Sequence, residues 1–297
     1  MSAEIFISDQ DGTSSHISEL RRILKVMFSR WLVVFGVVVI VVFIVVAIFA
    51  PAIAPYNPFE QHLSMTLREP SKEFLLGTDD LGRDLYSRII YGSRISIIVG
   101  TVSVSIAGIF GMGMGLVAGY YGRWIQSIIM RAMDTLLALP PLVLILAIAA
   151  ALGGGLFNVL IALGIGMLPT YCRLMCGQAI SIKENDFVLS AKAMGASDIR
   201  IMFRHVLPNA FPSLLVLITL NMGTAILMEA ALSFLGIGIS PPIPTWGAMI
   251  SNGYMYLLIN PLLSMTPGVC IILVVLGFNM VGDGLRDALD PRLRGIL

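Results

Sequence analysis

The sequence predicts an all-α membrane protein, six transmembrane helices with a cytoplasmic helix–elbow–helix loop. Three observations predict it. Of 297 residues, 57% are hydrophobic and 12% charged, with a mean hydropathy of +0.89; a soluble domain carries about twice that charged share. Several uncharged runs reach the roughly 20 residues that a bilayer span needs. Between two such runs lies Phe187 to Pro208, FVLSAKAMGASDIRIMFRHVLP, a polar stretch with helix start and stop signals of its own.

The first 20 residues are polar and read as a disordered or surface-lying segment. Arg21, Arg22, Lys25 and Arg30 follow, and then Trp31 to Ala54 without a charged side chain. That run exceeds the 7–15 residues of a signal-peptide core, so it is a retained first span, with Pro51 and Pro55 at its exit. The expected spans are 31–53, 95–119, 134–152, 156–173, 209–233 and 261–282, which divides the chain into a cytoplasmic segment 1–30 and a six-span domain 31–297. Gly153, Gly154 and Gly155 make the third and fourth spans an antiparallel hairpin. An even count puts both termini on one side, and the positive-inside rule chooses it. With the N-terminus inside, 14 of the 19 Lys and Arg fall on cytoplasmic segments. The other five lie in 56–94 beside six acids, and 234–260 has none. The N-terminus, the loop 174–208 and the tail 283–297 are therefore expected in the cytoplasm, and 56–94 and 234–260 outside.

Ser103, Ala107, Gly111, Gly115 and Gly119 recur every four residues along the second span. Such a small-residue stripe lets helices approach closely, either inside the chain or at a subunit interface. Pro140 and Pro141 in the third span and Pro169 in the fourth are expected to bend or break those helices. Asp134 and Glu229 are the notable carboxylates, each near a span end, where a helix-end hydrogen bond and a substrate contact are both open. Asn221, with Asn158 and Asn279, reads as interhelical glue. Trp246, Tyr254 and Tyr256 read as interface anchors. Cys172, Cys176 and Cys270 lie in or beside apolar runs and read as small buried hydrophobes.

In the polar loop, 186–195 has helical pattern, with Val188, Ala191 and Met194 on one side. Gly195 supplies the left-handed stop. Ser197 is an N-cap followed by Asp198 in the first turn. Ile199, Met202, Phe203 and Val206 form an apolar face, Arg204 and His205 sit toward the C-terminal end, and Pro208 ends the segment. This helix, elbow, helix lies at the membrane surface, as an amphipathic connector on lipid headgroups or as a docking element for a soluble partner.

LSAKAMG at Leu189–Gly195, followed by His205, Leu207, Pro208 and Asn209, resembles the EAA loop of permease subunits of bacterial and archaeal ABC importers. LLGTDDLGRDLYSRIIYGSRIS (75–96), EAALSFLGIGISPPIPTWGAMI (229–250) and GDGLRDALDPRLR (282–294) are similar to signatures of the dipeptide/oligopeptide/nickel branch. Four motifs in order cover about residues 25–297 and point to the second, C-type permease. Leu189 stands where the family has an acidic residue, and Ser190 where it has alanine.

The resemblance implies a type I importer permease fold, in which Ser190, Ala191, Lys192, Met194, Gly195, Ser197, Asp198, Arg204, His205 and Pro208 couple to ATPases. It implies a homologous permease as heterodimer partner, two cytoplasmic ABC ATPases and an extracytoplasmic binding protein, in a bacterial or archaeal inner membrane. Short peptides are the expected cargo, with nickel, glutathione or another small solute as alternatives. ATP and Mg belong to the partners, and no cofactor is expected on this chain. The residues agree: none of Lys25, Lys72, Lys183 and Lys192 follows a glycine, so there is no phosphate-binding GxxxxGK[ST] loop. His16, His62 and His205 lie in three separate polar segments, and no HExxH or GxSxG occurs, which argues against an intramembrane enzyme. A net charge of +1 without a basic–aromatic cluster argues against nucleic acid as partner. A self-sufficient secondary carrier is the rival of different class; it calls for internal repeats, and none is evident.

Overall fold

The computed structural model describes residues 22 and 24–289, which are helical and loop without strands. The expectations for the first 20 residues, Arg21, Arg292 and Arg294 lie outside them. Eleven α-helices follow from Trp31 onward: α1 (Trp31–Ile48), α2 (Ala50–Ile53), α3 (Leu85–Tyr121), α4 (Arg123–Leu137), α5 (Pro141–Leu152), α6 (Leu156–Lys183), α7 (Asp186–Ala193), α8 (Asp198–Ile201), α9 (Leu207–Phe234), α10 (Trp246–Tyr254) and α11 (Leu262–Leu289). Five helical stretches are long and apolar enough to span a membrane, and six if the bent pair α4–α5 is one span.

Most helices overrun their apolar runs, because a charge ends a hydropathy window but not a backbone ladder. α3 begins at Leu85 rather than 95, with Asp84 as N-cap accepting from the Ser87 amide at 2.8 Å. Its 37 residues span about 55 Å at 1.5 Å per residue, so its first turns stand clear of a ~30 Å hydrocarbon core. α6 runs on to Lys183 and α11 to Leu289. Pro169 does not break α6, where it is buried within the helix; surrounding packing holds the turn that one missing hydrogen bond weakens.

The third span departs further from expectation. It starts at Arg123, directly after Gly122 (φ +67°), and α4 and α5 meet at 89°. Pro140 and Pro141 make the break, as proline must where an interior ladder would need its N–H. Arg123 and Arg131 thus belong to a helix rather than to a loop.

The α3–α6 pair is the spine. A Cβ on Gly115 would lie 2.3 Å from the Cys172 carbonyl oxygen, and one on Gly119 would lie 2.6 Å from Cys176 O and from Ala179 Cβ. Gly111 meets Leu168 O and Tyr171 Cβ at 2.7 Å in the same way, and Ser103 and Ala107 are fully buried. The stripe therefore packs inside the chain, against α6. At the opposite end of the sequence, Gly36 of α1 faces Gly277 of α11. Arg30 pairs with Asp287, so α1 begins where α11 ends.

The segments 56–84 and 235–261 fold onto the helix ends. Asp79 accepts from the Leu81 and Arg83 amides at 3.0 and 2.9 Å and from Arg83 Nε at 2.7 Å, while Arg88 Nη1 donates to Pro58 O at 2.9 Å. This buried acid–base knot ties Pro58 to 79–88 and pairs four of the opposite charges of that loop, Asp79, Asp80, Arg83 and Arg88. Trp246 is not an interface anchor: it is 1% exposed, donates Nε1 to Ile89 O at 3.1 Å and meets Phe43 edge to face. Gly92 makes room for its indole, at 2.7 Å from a would-be Cβ. Tyr254 is exposed and Tyr256 half-buried.

Candidate functional site

The loop between α6 and α9 is built from three anchors. Lys183, at the end of α6, donates Nζ to the Gly119 carbonyl at 2.8 Å, a cation meeting the carbonyl end of α3. After an extended Asn185, α7 starts with Asp186 in its first turn and ends with Lys192 in its last, both complementary to the helix dipole. The chain then turns at Gly195 (φ +84°), with Ala196 N–H bonded to Ala191 O at 3.1 Å and Gly195 N–H to Lys192 O at 3.0 Å. That pair of bonds is a Schellman stop, which requires a left-handed residue at this position.

Ser197 then caps α8, its Oγ accepting from the Arg200 amide at 3.4 Å. Asp198 does more than face a helix N-terminus: its Oδ1 accepts from the Tyr120 hydroxyl at 2.6 Å. α8 passes through a π-helical turn, Met202–Val206, into α9. Pro208 therefore does not end the segment. It occupies the first turn of α9, where its missing N–H is tolerated; the Leu207 amide closes the wider turn on Met202 O, and Asn209 Nδ2 caps His205 O at 2.6 Å.

The π turn also changes which residues face inward. Val188, Ala191, Ile201, Met202 and Val206 are buried, and all but Ala191 join Leu116, Met175, Ala179 and Ile182 in one apolar cluster. Ile199 and Phe203, expected on one apolar face with Met202 and Val206, are exposed while those two are buried, and Ile201 is buried beside them. Met194 also leaves the face it was expected to share with Val188, because α7 ends before it; it is 81% exposed. Phe187 and Leu189 are exposed too, and the Phe187 ring lies 6.3 Å from that of His205. Ser190, Lys192 and Arg204 are exposed, and His205 is half-buried. The loop thus presents Phe187, Leu189, Met194, Ile199 and Phe203 outward from a firmly packed base. A cleft of ≈ 480 Å³ lined by Tyr120, Lys183, Leu189, Lys192 and Asp198 opens beside it.

The remaining candidates lie elsewhere. Glu229 is buried in α9 and accepts from Ser233 Oγ at 2.6 Å, with Thr245 Oγ1 3.5 Å from the same hydroxyl. It closes the C-terminal end of α9 under the 234–246 loop. Asn221 is half-buried in α9. Asp134 pairs with Arg173 across α4 and α6. Sequence reasoning placed Arg173 at the cytoplasmic end of the fourth span; α6 instead continues to Lys183, and the Gly115–Cys172 contact sets Arg173 level with Gly115 of the small-residue stripe.

Comparison with known proteins places this geometry. Residues 111–295 match the family described as binding-protein-dependent transport system inner membrane component, and residues 18–70 match the N-terminal transmembrane domain of oligopeptide transport permease C. The chain is 46% identical to the dipeptide transport system permease protein DppC of Alkalihalophilus pseudofirmus, covering 94% of this chain and 91% of that one. It is 44% identical to the di/tripeptide transport system permease protein DppC of Pseudomonas aeruginosa, over 87% and 88%. It is 41% identical to the glutathione transport system permease protein GsiD of Pectobacterium atrosepticum, over 86% and 85%. The fold is similar to the inward-facing MetNI methionine ABC transporter, with TM-score 0.55 at 18% identity over 68% of this chain and 97% of that chain. The chain is therefore a multi-pass membrane protein of the binding-protein-dependent transport family, an ABC importer permease of its dipeptide/oligopeptide branch.

Proposed function

We propose that this permease is one of two homologous subunits that enclose the path of an ATP-driven importer of short peptides, and that α7, the Gly195 elbow and α8 seat on cytoplasmic ATPase subunits. The observation that carries the reading is the exposed apolar set Phe187, Leu189, Met194, Ile199 and Phe203 standing on a buried base. A patch of that kind marks a protein or membrane contact, and the resemblance of this loop to the EAA loop of importer permeases favours the protein. It also answers the leucine at position 189, where the family has an acid: apolar contact replaces the ionic one. ATP hydrolysis belongs to the partners, because this chain has no phosphate-binding loop.

Closure of the ATPases on ATP moves the elbow. Because α8, the π turn and α9 form one helical run from Asp198 to Phe234, that movement is transmitted to the fifth span as a rigid body. Tyr120 ties the elbow to α3 through Asp198, and Lys183 ties the end of α6 to the same end of α3. The result is a two-state element biased by a differential contact. Peptide as cargo is supported by the relatives, since glutathione is itself a short peptide. A cytoplasmic placement of both termini is supported by the charge bias and by the Arg30–Asp287 pair. An extracytoplasmic binding protein would deliver cargo to the 56–94 and 234–260 segments.

Purification from the native membrane tests the reading. A homologous permease and two ATPases should co-purify, with hydrolysis stimulated by peptide-loaded binding protein. A chain that purifies alone and moves peptide into vesicles without ATP would overturn it in favour of a secondary carrier.

A further inference from the structure

We propose that Arg173 and Asp134 line the aqueous path of the importer and hold the charged ends of its cargo. The proposal rests on the short-peptide reading above and adds the residues that would recognise such a cargo.

Depth comes first. α3 and α6 run parallel and in register: Gly164 meets Ile106, Gly115 meets Cys172, and Gly119 meets Ala179. Arg173 is thus level with Gly115, inside the uncharged run 95–119, roughly 6 Å short of its inner end at 1.5 Å per residue. A charge at that level is costly against lipid and marks a polar cavity or an ion path.

Direction comes second. Both side chains of the pair are about half exposed, Arg173 at 51% and Asp134 at 55%. Thr170, Gly177 and Ser181 continue an exposed polar stripe along α6, and nothing approaches Gly177 within 4 Å. Ser127 and Arg131 continue one along α4. The two stripes converge on the ion pair beside the 89° break between α4 and α5.

The chemistry then selects the occupant. A short peptide is a zwitterion, with a terminal carboxylate and a terminal ammonium. Arg173 offers a forked cation to the first, and Asp134 an anion to the second. Without cargo the two neutralise each other, so neither is left as a lone charge at membrane depth. Entry of a peptide exchanges one ion pair for two, and release restores the first.

Cysteine labelling in the assembled, reconstituted importer tests this, with a membrane-impermeant anionic methanethiosulfonate as probe and the parent complex as background for its native cysteines. Asp134→Cys should be labelled above background. Thr170→Cys should be labelled too, and it leaves both charges in place should Asp134→Cys fail to assemble. At peptide about ten times its half-saturating level, labelling of Thr170→Cys should slow roughly tenfold, since only free sites react. That protection should vanish when Arg173→Gln is added; a merely structural arginine would leave it intact. Absence of labelling with and without ATP would overturn the proposal, as would labelling without protection, or protection indifferent to Arg173→Gln, in a complex that takes up peptide. A parent complex that takes up no peptide would fault the peptide reading itself, and this proposal with it.

Discussion

The Tyr120 hydroxyl donates to the Asp198 carboxylate across 2.6 Å, which hooks the C-terminal end of α3 to the first turn beyond the Gly195 elbow. The two residues are 78 apart in sequence. Their bond makes the elbow part of the spine rather than a free flap. A hydrogen bond to a charged group is worth about 1.5–3 kcal/mol, and less where solvent competes, as at exposed Asp198. Tyr120→Phe should leave the complex assembled while lowering peptide moved per ATP by roughly fivefold, the equivalent of ~1 kcal/mol. Asp198→Ala should cost somewhat more, because it also removes the acid from the first turn of α8, and the double variant should be no worse than Asp198→Ala alone. Paired uptake and hydrolysis assays in proteoliposomes read this directly.

Gly195 holds φ at +84° with open space around it. Its conformation therefore decides the outcome of substitution, and crowding does not. Uptake should fall in the order Gly, Asn, Ala, Pro, since Asn tolerates the left-handed region and Ala costs ~1 kcal/mol there. Proline should fall furthest, because the Gly195 N–H is bonded to Lys192 O.

Two glycines of α3 separate packing from propensity. Gly115→Ala drives a methyl into the Cys172 carbonyl at 2.3 Å, whereas Gly113 has nothing within 4 Å. Gly115→Ala should destabilise the permease by about 1–3 kcal/mol, the usual cost of overpacking, and lower its detergent melting temperature. Gly113→Ala should leave that temperature unchanged or raise it slightly.

Trp246 fills the space left by Gly92 and bonds to Ile89. Trp246→Ala should cost about 3–5 kcal/mol, seen as loss of folded protein in the membrane. An interface anchor would show far less.

Much of this was legible from the residues. Apolar runs marked five long helices and, for the third expected span, a bent pair; Gly195 and Ser197 located the elbow, and the four-residue spacing of Ser103 to Gly119 located the close helix contact. What stayed hidden has physical causes. A hydropathy window stops at the first charge, so Arg173 looked like a span end and Arg123 like a loop residue although their helices continue. Periodicity of 3.6 assumes an α-helix, and the π turn at Met202–Val206 shifts the register by a residue, which exchanges Phe203 and Ile199 for Ile201. Pairings across long separations, such as Tyr120–Asp198 and Trp246–Ile89, depend on how the helices pack and leave no local pattern.

The outward apolar set is the centre of the account, and its contact can be measured. Met194→Cys and Phe203→Cys, introduced one at a time, would be treated with a short bifunctional thiol reagent in the assembled importer and compared with buried Val188→Cys. The account predicts that both exposed positions cross-link to an ATPase subunit, that ATP changes the yield, and that Val188→Cys stays silent. Cross-links from neither exposed position, in a complex that still hydrolyses ATP and takes up peptide, would contradict it.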